Sequence, residues 1–487
     1  MKMIVIYDDT NEKSEVIRDI IGNKGFADVV VKKQKLESYY QEKIGKVYSQ
    51  LQWITVRSVF ELHEMREKTE LFSDEQARVL HCFSNYLIAD EKKAFLAFEK
   101  IFYIDGNYKV LSGRNTAALM FHNTASYGKY LDFVCSGCTT AAAAGRFEDT
   151  FEIEGLVDIG VVGNFIQCIT GNFESRFFNS LQGDEYTLVK SSTNKKKIKS
   201  EYMYYHLLPE DMRIWFVMPF NYQEDSQKAS YRMERLHMAD LAIKWVHGSF
   251  DVEEFEELLD RFFYFFKSRH SRPVTPLEYM EQSRKLYEEK VEERIESLKQ
   301  LKEYRKIKKM MGGGNRHQNI EQLAEEYFKL KERIEMGKKY PAVSVIGHGD
   351  PCFANALYNR STKTLKFIDP KGALTEEELW TNPYYDIAKL SHSVCGRYDF
   401  FNNGLFRIEV NEAFAYELHI DFDHTKYEEI FRRKLELNGY DYLTVRIYEA
   451  SLFLSMLPLH MDNPYKVFGF ILNVENILEE VEKYASK

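Results

Sequence analysis

The chain has 487 residues, enough for about two to four domains, and with 44% hydrophobic and 15% aromatic residues it can bury substantial cores. A formal net charge of -9 argues against a general nucleic-acid coat, because phosphate contacts supply most non-specific affinity for such polymers. No secretion signal is visible before Asp8 and Asp9, and no uncharged apolar stretch reaches the roughly 18 residues of a spanning helix, so a soluble, cytoplasmic protein is expected.

The first stretch reads as alternating strand and helix. Met3 to Tyr7 is a short β-branched run stopped by Asp8-Asp9, Ala27 to Val31 gives a second strand, and Ile101 to Ile104, ending in the turn Asp105-Gly106, gives a third. Such interleaving predicts an α/β domain with an open, mostly parallel sheet over about residues 1–168. Within it, Cys135 and Cys138 form a single CxxC with no second ligand pair at matching spacing, which predicts two ordinary reduced thiols.

From about Gly171 the texture changes. Gly183-Asp184 signals a hairpin turn, Tyr186 to Lys190 a strand ending on a lysine, and a helix then runs through Glu201 and Tyr205 to a stop at Pro209. Ile214 to Met218 reads as another strand, closed by Pro219. Lys195-Lys196-Lys197 is a solvated face. A long helix starts at Thr275, with Pro276 as its first residue and Glu278 as the capping-box partner. Its apolar positions Leu277, Met280, Tyr287, Val291, Ile295 and Leu298 keep helical spacing. Gly312-Gly313-Gly314 breaks it, and Leu323, Tyr327, Leu330 and Ile334 mark a returning helix, giving a helical hairpin over 276–336. The triple glycine lacks the preceding strand and the Lys-Ser/Thr ending of a phosphate loop.

The chemistry-bearing segment is Val343 to Asn355. A hydrophobic approach delivers His348-Gly349-Asp350 on a glycine-containing loop, and Asn355 follows five residues after the acid. After a turn at Asn359 to Thr362, the short strand Leu365 to Ile368 ends in Asp369-Pro370. Phosphoryl transfer needs such a set: one carboxylate orients or deprotonates the attacking hydroxyl, while an amide oxygen and a second carboxylate hold magnesium against the phosphates. The plainer reading is a loop and β-hairpin with exposed polar ends, but the spaced Asn and the strand-terminal Asp favour catalysis.

This segment resembles the catalytic loop of the aminoglycoside phosphotransferase/choline kinase family, over about residues 170–487. The resemblance implies a two-lobed α+β protein-kinase-like fold, with a nucleotide-covering lobe at 169–250 and a larger lobe at 251–487. It implies ATP and Mg2+ as cofactors and a small hydroxylated molecule as acceptor. Asp350 would be the base, with His348 shaping the catalytic loop more than taking protons. Asn355 and Asp369 would be the metal ligands, with Pro370 in place of the Phe-Gly of protein kinases, and Asp386 would brace the loop. Lys190 would bind phosphates and pair with Glu201. The hairpin from Ser175 to Gly183, which has no protein-kinase glycine signature, would cover the phosphates with backbone amides, Asn179 and Ser180. His392, Arg397, Tyr398 and Asp399 would line the acceptor pocket, each being equally readable as a satisfied core or surface residue.

In texture the segment is similar to kinase-like domains of bacterial capsule and surface-polysaccharide proteins, in which a sugar-nucleotidyltransferase-like domain often comes first. That implies a sugar, polyol or amino-alcohol acceptor. By that resemblance the first domain would be a Rossmann-like, degenerate or specialised nucleotidyltransferase-like fold, since Met1 to Thr10 contains no glycine-rich loop; a phosphatase motif is not met either, because Thr10 stands where it wants its second acid. A pseudokinase that binds within a polysaccharide assembly system, or a bifunctional kinase/nucleotidyltransferase, are the competing readings.

Overall fold

The structure is a computed structural model. It describes residues 2–67, 77–138, 142–143, 147, 149–169, 179–184, 186–313, 316–339 and 342–486. The chain divides into two compact units, residues 1–174 and 175–487.

The first unit is built on a six-stranded sheet, in the order Leu51–Val56, Met3–Asp8, Arg78–Phe83, Asn115–Phe121, Tyr108–Ser112, Thr150–Glu152. Met3–Asp8 is fully buried and runs parallel to both its neighbours, as a mainly apolar interior strand of an α/β sheet should. The sheet is mixed, however. Asn115–Phe121 is antiparallel to Arg78–Phe83 and to Tyr108–Ser112, because Gly113, at φ +63°, turns the chain straight back into a hairpin. Ile4, Ile6, Val79, Leu119, Phe121, Tyr127 and Leu131 share one core.

Two strands read from the sequence in this unit are corrected. Ile101 to Tyr103 is the last turn of the helix Glu91–Tyr103, whose buried Ala94, Ala97, Phe98 and Ile101 follow a helical period. Ala27 lies in a single 3-10 turn, Phe26–Asp28, and only Val30–Val31 pairs, with Gln34–Lys35.

The second unit contains an antiparallel sheet in the order Asn179–Gly183, Thr187–Ser192, Ala229–Glu234, Pro219–Glu224. Asp184 makes the first hairpin, its carboxylate accepting from the backbone N–H groups of Tyr186 and Thr187. The helix Lys195–Leu207 is capped by Asn194, and its Ile198 packs on Ala229, Tyr231 and Met233. Pro219 opens a strand rather than closing one. Residues 210–213 are helical, and the stretch after them pairs only through Phe216, in a parallel bridge to Phe367. That bridge, with Phe367 N donating to Trp215 O at 2.7 Å, anchors the sheet segment two residues before Asp369.

The rest of this unit is mainly helical. Val252–Ser268 buries Phe255, Phe262, Phe263, Phe265 and Phe266 along one stripe, and Tyr442–Met456 is buried on every side from Thr444 to Ser455. Thr275 makes the capping box with Glu278. The hairpin expected over 276–336 is more broken than its spacing implies. A π turn at Lys285–Glu289 adds a residue to the register, so Tyr279 and Ser283 face inward, while Leu277 and Met280 are 74% and 66% exposed. Lys290–Lys299 and Tyr304–Met311 follow as separate helices before Ile320–Glu335 returns. Among the described residues no helix is long and apolar enough to cross a membrane.

Candidate functional site

The strand Val343–Ile346 delivers the chain to a loop that is fixed from several sides. At Gly347 an added Cβ would lie 2.3 Å from Thr381 Cγ2, and Gly349 has φ +84°, so both positions require the missing side chain. Asp386, fully buried near the start of the helix Pro383–Val394, accepts from the N–H of His348 (2.9 Å) and of Gly349 (2.8 Å). The Arg269 guanidinium balances its charge at 3.0 Å. Tyr204 donates to Gly347 O at 2.9 Å.

His348 is buried and works as a tie. Its Nδ1 accepts from Asp350 N at 3.0 Å, which leaves the proton on Nε2, 3.0 Å from Ile368 O. Phe216 stacks on the ring. Burial pushes its pKa down despite nearby carboxylates, so a neutral imidazole joins the loop to the residue before Asp369.

Both oxygens of Asp350 are held. Oδ1 is 3.0 Å from Lys389 Nζ, and Oδ2 accepts from Asn355 Nδ2 at 3.2 Å. Burial raises the Asp350 pKa, but the Lys389 ammonium outweighs it and holds the carboxyl below its ordinary range. The Asn355 amide nitrogen also donates to Asp350 O at 3.0 Å, which turns its carbonyl oxygen away from the acid. Asn355 lies in the 3-10 turn Phe353–Asn355, and its own backbone carbonyl accepts from Ile368 N at 3.0 Å. The loop and the approach to Asp369 are thus joined twice.

A second knot contains the other charged candidates. Lys190, 4% exposed in the middle of its strand, places Nζ 2.7 Å from Glu201 Oε2 and 2.7 Å from Asp369 Oδ1. Burial opposes its charge, but the Asp369 and Glu201 carboxylates outweigh that and raise its pKa. Tyr231 donates to Glu201 at 3.2 Å. Asp369 itself sits in the left-handed region at φ +56°, a conformation that costs a non-glycine residue about 1–3 kcal/mol and is sustained here by the groups around it. Among the described residues no cluster of three or more His, Cys, Asp or Glu side chains is spaced for a metal. Asn355 and Asp369 are oxygen donors, a set suited to a hard cation such as magnesium that completes its shell with phosphate and water.

Asn179 and Ser180 stand on the edge strand opposite Ser192 and Ser191. Their side chains, and the hairpin residues 175–178, lie outside the described residues. The four acceptor candidates separate into two pairs. His392 is buried against Tyr398 (4.4 Å between ring centroids) and Phe453, and burial and the Lys389 charge push its pKa well down. Arg397, at φ +57°, turns its guanidinium to Glu428 at 3.1 Å. Tyr398 and Asp399 lie within electrostatic reach of Asp350. Burial, and after it the charges of Asp240 and Asp350, push the Asp399 carboxyl up to about 7.

Sequence reasoning missed Arg269, Tyr204 and Lys389. Tyr204, on the helix Lys195–Leu207, and Arg269, just past the end of Val252–Ser268, approach from far away in the chain and leave no local signal. Lys389 did leave one, because it lies three residues after Asp386 and therefore on the same helix face.

No protein-family model matches the sequence, and no curated protein matches it. Among solved structures, the chain is similar to a thermostable mutant of the aminoglycoside phosphotransferase APH(4)-Ia in its apo form. The TM-score is 0.34 and the identity 12%, over 63% of this chain and 94% of that one.

Proposed function

We propose that residues 175–487 form an ATP-dependent kinase that transfers the γ-phosphate to a hydroxyl of a small molecule. One observation carries the reading. Lys190, Glu201 and Asp369, from a strand, a helix and a loop, meet at 2.7 Å beside a loop that holds both oxygens of Asp350. In this reading the sheet and the helix Lys195–Leu207 belong to the nucleotide-covering lobe, and residues 251–487 form the larger lobe. Lys190, kept in place by Glu201, neutralises phosphate oxygens. Asn355 and Asp369 hold magnesium, which supplies charge neutralisation at the phosphates when bound. Asp350, kept ionised, orients the acceptor hydroxyl and takes its proton as the oxygen–phosphorus bond forms and ADP leaves. His348 takes no proton, and Asn179 and Ser180 contribute to covering the phosphates.

For the acceptor we take a sugar, polyol or amino alcohol, in the formation of surface-polysaccharide precursors. The support is the sequence resemblance; in this reading Tyr398 and Asp399, within electrostatic reach of Asp350, would form a polar wall toward the acceptor.

The test is a thermal melt of the full chain with ATP and magnesium, repeated on Asp369→Ala. Nucleotide-dependent stabilisation of the wild type that shrinks in the variant is expected. A wild type that magnesium-ATP leaves unmoved sinks the reading. Mass spectrometry of a panel of sugars, polyols and amino alcohols incubated with magnesium-ATP then identifies the acceptor, each true acceptor gaining one phosphate.

A further inference from the structure

The helix Pro383–Val394 meets the loop twice with one face. Asp386 takes two loop amides, and one turn later Lys389 reaches the loop's own carboxylate at 3.0 Å. A lysine in this position is expensive to bury: 14% of its side chain is exposed, and ordering it costs the rotamer freedom of a long flexible chain. A structural salt bridge rarely requires that, since a buried ion pair contributes little net stability against an apolar pair of the same volume. Among the described residues Asp350 is its carboxylate partner. Other titratable groups in electrostatic reach of the pair are His348, Cys352, Tyr385, Tyr398 and His392, together with Asp399 beside Tyr398.

The geometry points to Lys389 as a positioning residue for phosphoryl transfer, one that fixes the plane of the Asp350 carboxylate together with Asn355. This rests on the phosphotransfer reading above. A carboxylate has about four lone-pair directions, and Lys389 on Oδ1 and Asn355 Nδ2 on Oδ2 occupy two of them. The remaining directions are thereby set, so the acceptor hydroxyl meets a carboxylate that needs no rotation before transfer. The step balances: the acceptor O–H proton passes to Asp350, the acceptor oxygen bonds to the γ-phosphorus, and the bond to the bridging oxygen breaks with its electrons staying on ADP. Lys389 keeps its protons throughout and acts only through Asp350.

The experiment is steady-state ADP release from magnesium-ATP by the full chain, with water as the probe acceptor. The proteins are the wild type, Lys389→Met, Lys389→Arg, Asp350→Asn and the Lys389→Met/Asp350→Asn double variant. For Lys389→Met we expect kcat to fall about 100-fold with KM for ATP within about twofold of wild type, because the interaction counts in the transition state and not in nucleotide binding. Lys389→Arg should recover part of kcat, and the double variant should be no slower than Asp350→Asn. Melting curves check that the variants fold. If Lys389→Met does not fold, Lys389→Gln, which is polar but uncharged and one bond shorter, carries the same kcat-against-KM comparison. A wild-type kcat in the folded variant, or losses that multiply in the double variant, would overturn the role. Should the wild type neither release ADP nor be stabilised by magnesium-ATP, it is the kinase reading that fails, and the positioning role with it.

Discussion

The brace at Asp386 sets the loop, and its loss can be worked through from the contacts. Asp386→Ala strands the Arg269 guanidinium, which keeps only the carbonyls of Phe266 (3.1 Å) and Pro383 (3.2 Å), and it removes the acceptor for two loop amides. Breaking a buried pair from one side costs about 3–5 kcal/mol, and the orphaned amides add on the order of 1 kcal/mol between them where water enters the vacated space. Arg269→Met is milder, at about 2–3 kcal/mol, because Asp386 retains both amide donors. At about 2 °C per kcal/mol for a unit of this size, Asp386→Ala should lower the melting temperature of the 175–487 transition by about 10 °C and Arg269→Met by about half that. The double variant should melt near Asp386→Ala or above it, since no charge is then left unpaired. Calorimetry of the full chain measures all three, with the transition of the 1–174 unit as internal control. The reasoning is refuted if Asp386→Ala melts within about 2 °C of wild type, or if Arg269→Met is the more damaged protein.

How much of this was legible beforehand depended on distance along the chain. Asp350, Asn355 and Asp369 could be singled out because their relation is local: a five-residue spacing on one loop, then a short strand ending in an acid. Lys190 and Glu201 were picked out only by the family resemblance, and the structure brings Lys190 to both Glu201 and Asp369, the latter 179 positions away. Thr275 declared its helix because a capping box is written in four residues. What stayed hidden was non-local or lacked a period. The run Ile101 to Ile104 is too short to show whether it repeats every two or every 3.6 residues, and only the alanines upstream reveal a helix. The π turn at Lys285–Glu289 moved the inward face by one residue without changing the composition of the segment. The neighbours that hold the loop from outside, Arg269 and Tyr204, could be found only from the fold.

The remaining predictions test other charges. Lys190→Met should cut magnesium-ATP turnover at least about 100-fold, as loss of one charge-stabilising donor does at such sites, and should lower the melting temperature by a few degrees, because the buried Glu201 carboxylate loses its 2.7 Å partner and is left with Tyr231 (3.2 Å) and Lys197 (3.7 Å); turnover above about a tenth of wild type would contradict the role of Lys190. His317 lies between Glu475 (2.9 Å) and Glu326 (2.6 Å), and although burial works against its charge, hydrogen bonds to these two carboxylates raise its pKa. A raised histidine stabilises fully below its unfolded value, about 6.5, and loses that as pH rises through the folded one, so the melting advantage of wild type over His317→Gln should be largest near pH 6 and shrink toward pH 9. Asp399 gives the opposite experiment. Its carboxyl, raised to about 7, binds a proton in the folded chain that the unfolded chain has released, so its contribution is present below about pH 4 and lost as pH climbs through 7. Asp399→Asn carries no charge to bury, and its stability relative to wild type should therefore rise between pH 5 and pH 8, by about 2–3 kcal/mol or roughly 5 °C. Parallel melting curves across that range would mean that the Asp399 carboxylate is already matched by donors. The polar wall proposed for the acceptor would then have no unmet hydrogen-bonding capacity to offer it.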